Sequence, residues 1–312
     1  MKKLENFVIN NPDALQNEFY GNYDPDYWLY QISLLKNCHD NFDTIKNHLT
    51  AGLPNVNCDD FKRMLRTELH FLYFQMVETL FEIIFAISTF DDKYLWLALT
   101  FSDWKDNYQK IKEFSEGKLS HPDFEAKIEV EIQEQTLEIP LLRWIFYFAC
   151  SLNITEAEWA KIIENIYKLL KVFAKDFSDR NEYNAYKHSL RFYNRSFALW
   201  VGIEDESPQN MQNVGRSDDA ITYLEEHIKK DSRGNPCPTG KIQLTTKPFD
   251  FERDHRCCLV IYEMIKNIID SRKFFLLEKL RGEEFQLFTF QDIEYPQIIL
   301  SKASPIKFSH TV

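Results

Sequence analysis

The sequence predicts a mainly α protein: a helical bundle of roughly six long helices carrying a small strand-helix-strand insertion. Three observations carry that prediction. Only 8 glycines and 11 prolines punctuate 312 residues, about half the usual share of roughly 12%, so long helices are favoured over many short strands. Hydrophobic residues are 44% and charged residues 27%, the ordinary globular balance, which excludes disordered and fibrous classes for the chain as a whole. The 26 Phe, 15 Tyr and 6 Trp supply large rigid side chains of the kind that packed helices bury. At roughly 150 residues per domain the length admits two modest domains or one large one.

Taken in order, an irregular lead-in precedes Pro25 to His48, where Tyr27, Trp28, Ile32, Leu35, Phe42 and Ile45 keep a mostly helical spacing closed by Ala51-Gly52-Leu53-Pro54. Asp59 or Asp60 can cap a second helix reaching about Thr89, some 45 Å at ~1.5 Å per residue. Its apolar part, Leu69 to Phe90, is interrupted by His70, Gln75, Glu78 and Glu82. It therefore reads as a core helix, because carboxylates in a membrane cost about 2.5 to 3.5 kcal/mol each. Lys93 to Phe114 is a third helix, and Gly117 and Pro122 end it. Lys127 to Ile132 alternates like an exposed strand, with a helical alternative open. Pro140 to Leu152 reads as a short buried helix. Thr155 and Glu158 then form a capping box opening a helix to about Phe177.

Arg180 to His188 looks helical, Phe192 to Ile203 extended, Asp218 to Lys230 a short helix, and Lys241 to Thr246 a second strand able to pair with the first. Asp250 begins a long helix to about Leu280, and Phe285 to Leu300 mixes short extended pieces. The predicted organisation is a helical bundle over 1–191, a small α/β insertion over 192–249, and over 250–312 a long helix packing on the bundle plus an extended tail. There is no internal repeat or low-complexity tract.

The net charge of −11 repels nucleic acid and anionic membrane on average, so any such partner needs a local basic patch. The six cysteines show neither CxxC pairs nor regular spacing; reduced thiols in the cytoplasm are expected, with no disulfide framework and no zinc ribbon. Asn10-Asn11-Pro12 follows the short apolar Phe7-Val8-Ile9, which leaves no signal-peptide core there. No GxGxxG, GxxxxGK[ST] or GxSxG occurs, and no cofactor is expected.

One basic patch exists. Lys161 to Arg195 holds eight bases and four acids, and a helix continued through Arg195 would place Arg180, Asn184, Lys187 or His188, Arg191 and Arg195 on one face as donors to phosphate. The alternative is that the Lys161, Lys168, Lys171 and Lys175 part is the solvated face of an amphipathic helix. Within this patch Arg180-Asn181-Glu182-Tyr183-Asn184-Ala185-Tyr186-Lys187-His188, following a long helix, resembles the signature turn of HEPN-like proteins. The resemblance covers Glu156 to Arg195. It departs from the family pattern in having seven residues between Arg and His where four to six are usual.

What the resemblance implies is a metal-independent ribonuclease or RNA-binding module working as a homodimer. His188 would take the 2′-OH proton, Arg180 or Arg191 would stabilise the phosphate charge, Asn181 or Asn184 would orient the imidazole, and Lys187, Arg191 and Arg195 would hold phosphate. A helix-terminal histidine bonding local carbonyls is the other reading of His188. A second constellation, Glu68, Gln75, Glu78 and Glu82 with His70 and the ExxH of Glu252-Arg253-Asp254-His255, has one ExxH where a carboxylate-bridged di-metal site wants two, so no metal is expected. Arg66 and His70 are expected to meet glutamates. The competing functional class is a non-enzymatic interaction or scaffold protein. There an aromatic-rich surface, or the acidic segment Glu113 to Glu138 with eight acids and two lysines, engages a protein partner. No membrane partner is expected.

Overall fold

The computed structural model describes residues 11–52, 56–89, 95–118, 122–132, 135–148, 150, 154–187, 192–201, 212–230, 236–277, 287–290 and 306–308. The order is α1 (Pro12–Asn22), α2 (Asp26–Asp40), α3 (Phe42–Leu49), α4 (Cys58–Thr89), α5 (Leu95–Thr100), α6 (Trp104–Ser115), β1 (Lys127–Ile132), β2 (Gln135–Pro140), α7 (Leu141–Tyr147), α8 (Glu156–Ser178), α9 (Asn181–Lys187), β3 (Phe192–Val201), β4 (Gln212–Lys230), β5 (Pro236–Pro248), α10 (Phe251–Leu276) and β6 (Ile306–Phe308). The chain is mainly helical with small antiparallel sheets, as its composition predicts.

Local chemistry explains where the predicted elements are cut. The lead-in is helical from Pro12, because Asn11 accepts the Ala14 N–H at 3.1 Å and Pro12 stands where no donor is needed. The first long helix breaks at Asn41, whose side chain donates back to the Asn37 carbonyl at 3.2 Å, into α2 and α3. The third breaks before Asp103, which caps α6 by accepting from Lys105 N–H. Asn57, rather than Asp59 or Asp60, caps α4 by accepting both their N–H groups at 3.0 and 3.4 Å. The Thr155–Glu158 capping box opens α8 as the sequence predicts.

Two corrections concern the insertion. Asp218 to Lys230, predicted as a short helix, lies within β4. Ile221-Thr222-Tyr223 is β-branched and aromatic, and all three side chains are buried between opposite neighbours. Lys241–Thr246, predicted to pair with the first strand, lies in β5 and pairs with β4, in the order β3-β4-β5-β6. The predicted Lys127–Ile132 strand is present as β1, paired antiparallel with β2 from Lys127↔Pro140 to Ile132↔Gln135. In the predicted tail, Phe285 to Leu300, only 287–290 are described, without regular structure.

The chain forms two compact units that cut across the predicted 191/192 and 249/250 divisions. The first comprises 1–30, 75–179 and 258–295, with a core that includes Phe81, Leu142, Phe146, Ile166, Phe173 and Ile265. The second comprises 31–74, 180–257 and 296–312, and in it Leu69, Phe71, Ile221 and Tyr223 are buried between helices and the four-stranded sheet. Among the described residues α4, over Cys58–Ser88, is long and apolar enough to cross a membrane, and 72% of its most apolar window is buried, as in a core helix. On α4 Gln75 is exposed while Glu68, Glu78 and Glu82 are half-buried, so this stripe runs along the helix edge.

Candidate functional site

The predicted phosphate-binding residues do not share a helix. α9 ends at Lys187 and β3 begins at Phe192, so the face that would have joined Arg180 to Arg195 is interrupted; a strand turns side chains every second residue, not every third or fourth. Arg180 immediately precedes α9 and is only 3% exposed, its carbonyl accepting the Asn184 N–H at 3.0 Å. Asn184 is exposed, and Lys187 is exposed with its ammonium 4.4 Å above the Tyr183 ring. His188 and Arg191 lie outside the described residues, as does the side chain of Arg195 on β3.

The inner face of α9 instead joins a buried polar network in the second unit. Glu182 Oε1 lies 2.7 Å from Lys247 Nζ, both side chains buried, and burial raises the Glu182 pKa against the pull of Lys247 and His70. Tyr186 donates to Glu68 at 3.0 Å and stacks on Phe71 at 3.9 Å; burial and Glu68 push its phenol up to about 12. His70 Nδ1 is 2.7 Å from Asp254 Oδ2, and the Phe249 ring stacks on the imidazole at 4.4 Å. Arg66 bonds Asp219. The two α4 residues expected to meet glutamates thus meet aspartates, one supplied by β4 and one by α10.

The ExxH is divided in the same way. Glu252 lies 3.1 Å from Lys36, while Asp254 turns inward to His70. Among the described residues no three His, Cys, Asp or Glu side chains converge as metal ligands would. In this interior Glu182 pairs with Lys247 and His70 with Asp254, and these four side chains are all under a tenth exposed.

One accessible concavity among the described residues lies in the first unit. It is a cleft of about 390 Å³ built by α7, α8 and the root of the β1–β2 hairpin, within the ~300 to 1,000 Å³ range of ligand pockets. Leu142, Trp159, Ile163 and Tyr167 give apolar walls, with Phe124 and Pro140 completing them. Its polar groups are Glu125, Lys127, Arg143, Glu156 and Glu164. The Arg143 guanidinium lies 4.1 Å over the Trp159 ring and 3.6 Å from Glu156, an arrangement that holds both planar groups in place. Burial and the neighbouring carboxylates of Glu125 and Asp123 raise the Tyr167 pKa, so the phenol stays neutral and able to donate.

Hydrogen bonds from near and distant residues hold these walls. β2 runs straight into α7 through Pro140, and the Leu141 N–H donates to the Ala126 carbonyl at 2.9 Å, tying α7 to the turn ahead of β1. α7 stops at Phe148, whose φ of 41° is a conformation side chains rarely adopt. The fully buried Arg272 donates to the Ile145 carbonyl at 2.7 Å and the Trp144 carbonyl at 3.4 Å, and lies 4.8 Å over the Phe148 ring. It thereby satisfies carbonyls that a helix end leaves bare.

Sequence reasoning singled out none of the α7 and α8 residues in this cleft. A signal was present in α8, where Ala160, Ile163 and Tyr167 widen the apolar arc beyond the Trp159, Ile162, Ile166 and Leu170 that the core uses. No family model, curated protein or solved structure matches the chain.

Proposed function

We propose that this chain is a non-enzymatic protein-interaction module that receives an apolar side chain of a partner in the cleft between α7, α8 and the β1–β2 hairpin. The observation that carries the reading is the cleft itself: apolar walls in which Ile163 and Tyr167 are half-buried over the buried Phe124 and Trp159, a charged mouth, and an arginine stacked on tryptophan. Trp, Tyr and Arg are the residue types that dominate binding energy at protein interfaces. The Glu182–Lys247 and His70–Asp254 pairs of the second unit, by contrast, are buried. The cleft also borders the acidic segment Glu113 to Glu138, of which Phe124, Glu125 and Lys127 line it.

Burying one Leu or Phe side chain contributes about 2 kcal/mol, roughly thirtyfold in affinity. Ala160 is exposed on α8, so Ala160→Trp fills the cleft without disturbing the core. A random nine-residue peptide library displayed on phage, selected on the full chain and counter-selected on Ala160→Trp, is expected to yield sequences sharing one bulky apolar residue. Enrichment that Ala160→Trp leaves unchanged would overturn the reading. A labelled mixed RNA pool incubated with the wild type in EDTA should stay intact, and cleavage lost in His188→Ala would transfer the function to the RNA class.

A further inference from the structure

We infer that the segment docking in this cleft is basic: a bulky apolar anchor flanked by lysine or arginine. The inference rests on the interaction reading above and specifies the partner's chemistry. Three carboxylates line the cleft, Glu125, Glu156 and Glu164, against two cations, Lys127 and Arg143; beside it Glu164 is paired with Lys168, and the charge of the half-buried Lys171 acts on Glu125. Both cations are already matched. Arg143 faces Glu156 and the Trp159 ring, and Lys127 lies 3.5 Å from Glu138. The Glu125 carboxylate, exposed at the mouth, has no ion pair among the described residues.

The hairpin that forms one wall carries an independent sign of the same preference. Glu129 stands directly opposite Glu138 in the β1–β2 register, on the face that Lys127 and Pro140 present to the cleft. Like charges at opposed positions destabilise a strand pair. Lys127 relieves Glu138, whereas Glu129 is exposed and has no ion pair among the described residues. An arriving cation would remove that repulsion, so the hairpin gains most from a partner of positive charge.

Spacing agrees with this. From Lys127 at the cleft to Glu129 is one two-residue step along β1, ~7 Å. An extended partner with its anchor in the cleft would therefore bring residues two to four positions away opposite Glu125 and Glu129. Glu125, Glu129 and the apolar cavity lie within reach of one short peptide.

The same phage selection separates this inference from the reading it rests on. Cleft-dependent peptides with two or more Lys or Arg within four positions of the anchor are expected. The consensus peptide, fluorescein-labelled and titrated by polarisation, should lose at least tenfold in affinity for Glu125→Lys/Glu129→Lys. Its binding to the wild type should weaken as salt rises from 50 to 500 mM, on the order of Debye lengths of 14 falling to 4 Å. Cleft-dependent peptides with neutral or acidic flanks, or binding indifferent to the charge reversal and to salt, would overturn the basic partner while leaving the cleft as the docking site. No cleft-dependent peptide at all would remove both.

Discussion

Glu182 and Lys247 illustrate what a single buried residue contributes. With side chains 1% and 7% exposed and 2.7 Å apart, neither charge is solvated, so each depends on the other. Lys247→Met should destabilise the protein by about 3 to 5 kcal/mol, measured by urea denaturation at neutral pH. Glu182→Gln/Lys247→Met should recover much of that loss, and a double variant as unstable as the single one would contradict the pairing. Burial raises the Glu182 pKa. A raised carboxyl pKa means the folded state holds its proton more firmly than the unfolded one, so the Lys247→Met variant should lose stability further as pH rises through that value.

Asp26 behaves in the opposite sense. The Tyr262 hydroxyl donates to it at 2.7 Å and Lys266 lies 3.0 Å away, which together hold its carboxyl below the ordinary aspartate range. A depressed carboxyl pKa stabilises the fold above the unfolded value and ceases to do so as pH falls through the folded one. Asp26→Asn should therefore be less stable than the wild type at pH 7 by at most about 1 kcal/mol, since the carboxylate is partly exposed and screened. The two urea curves should converge as the pH drops below ~4. A difference that persists in acid would mean that packing, not charge, is responsible.

At the scale of elements, capping decided most boundaries. α8 carries half the cleft on its outer face, and its first turn is fixed by Thr155 and Glu158, each bonding the other's backbone N–H. Thr155→Ala should cost about 1 kcal/mol of stability, visible as a lower urea midpoint with an unchanged slope. A change in slope would signal that the cap also affects how much structure unfolds together. The capping box was legible in the sequence because all its atoms lie within four residues. The ends of α7 were not: its last carbonyls are satisfied by Arg272, more than 120 residues away, and no local pattern can announce a partner so distant. The α9 segment misled for a related reason. The helix present there stops at Lys187, and strand pairing of Phe192–Val201 with β4 overrides the three-to-four-residue spacing of Arg191 and Arg195.

For the whole molecule, cysteine accessibility tests the fold in one experiment. Cys58 and Cys237 are exposed, Cys150, Cys257 and Cys258 are buried, and burial pushes the Cys150 thiol up to about 12. Iodoacetamide reacts with thiolates, so at pH 8 the native protein should be alkylated at Cys58 and Cys237 while Cys150, Cys257 and Cys258 react only after denaturation, as read by peptide mass mapping. Rapid native labelling of Cys257 or Cys258 would contradict the burial of the first turns of α10.

The sequence by itself determined the mainly helical class, the long α4 and α10 and the α8 cap, because apolar periodicity and capping are local and repeat over many residues, whereas for β1 it left strand and helix both open. Tertiary structure alone decided that Asp218 to Lys230 is a strand, that Arg180 faces inward, that His70 meets Asp254, and that α7, α8 and a hairpin enclose a cleft. Each of these depends on which distant segments meet. A backbone of given local preference takes the conformation that pairs its hydrogen bonds and buries its side chains against the partners the fold supplies, and those partners lie up to 250 residues away along the chain.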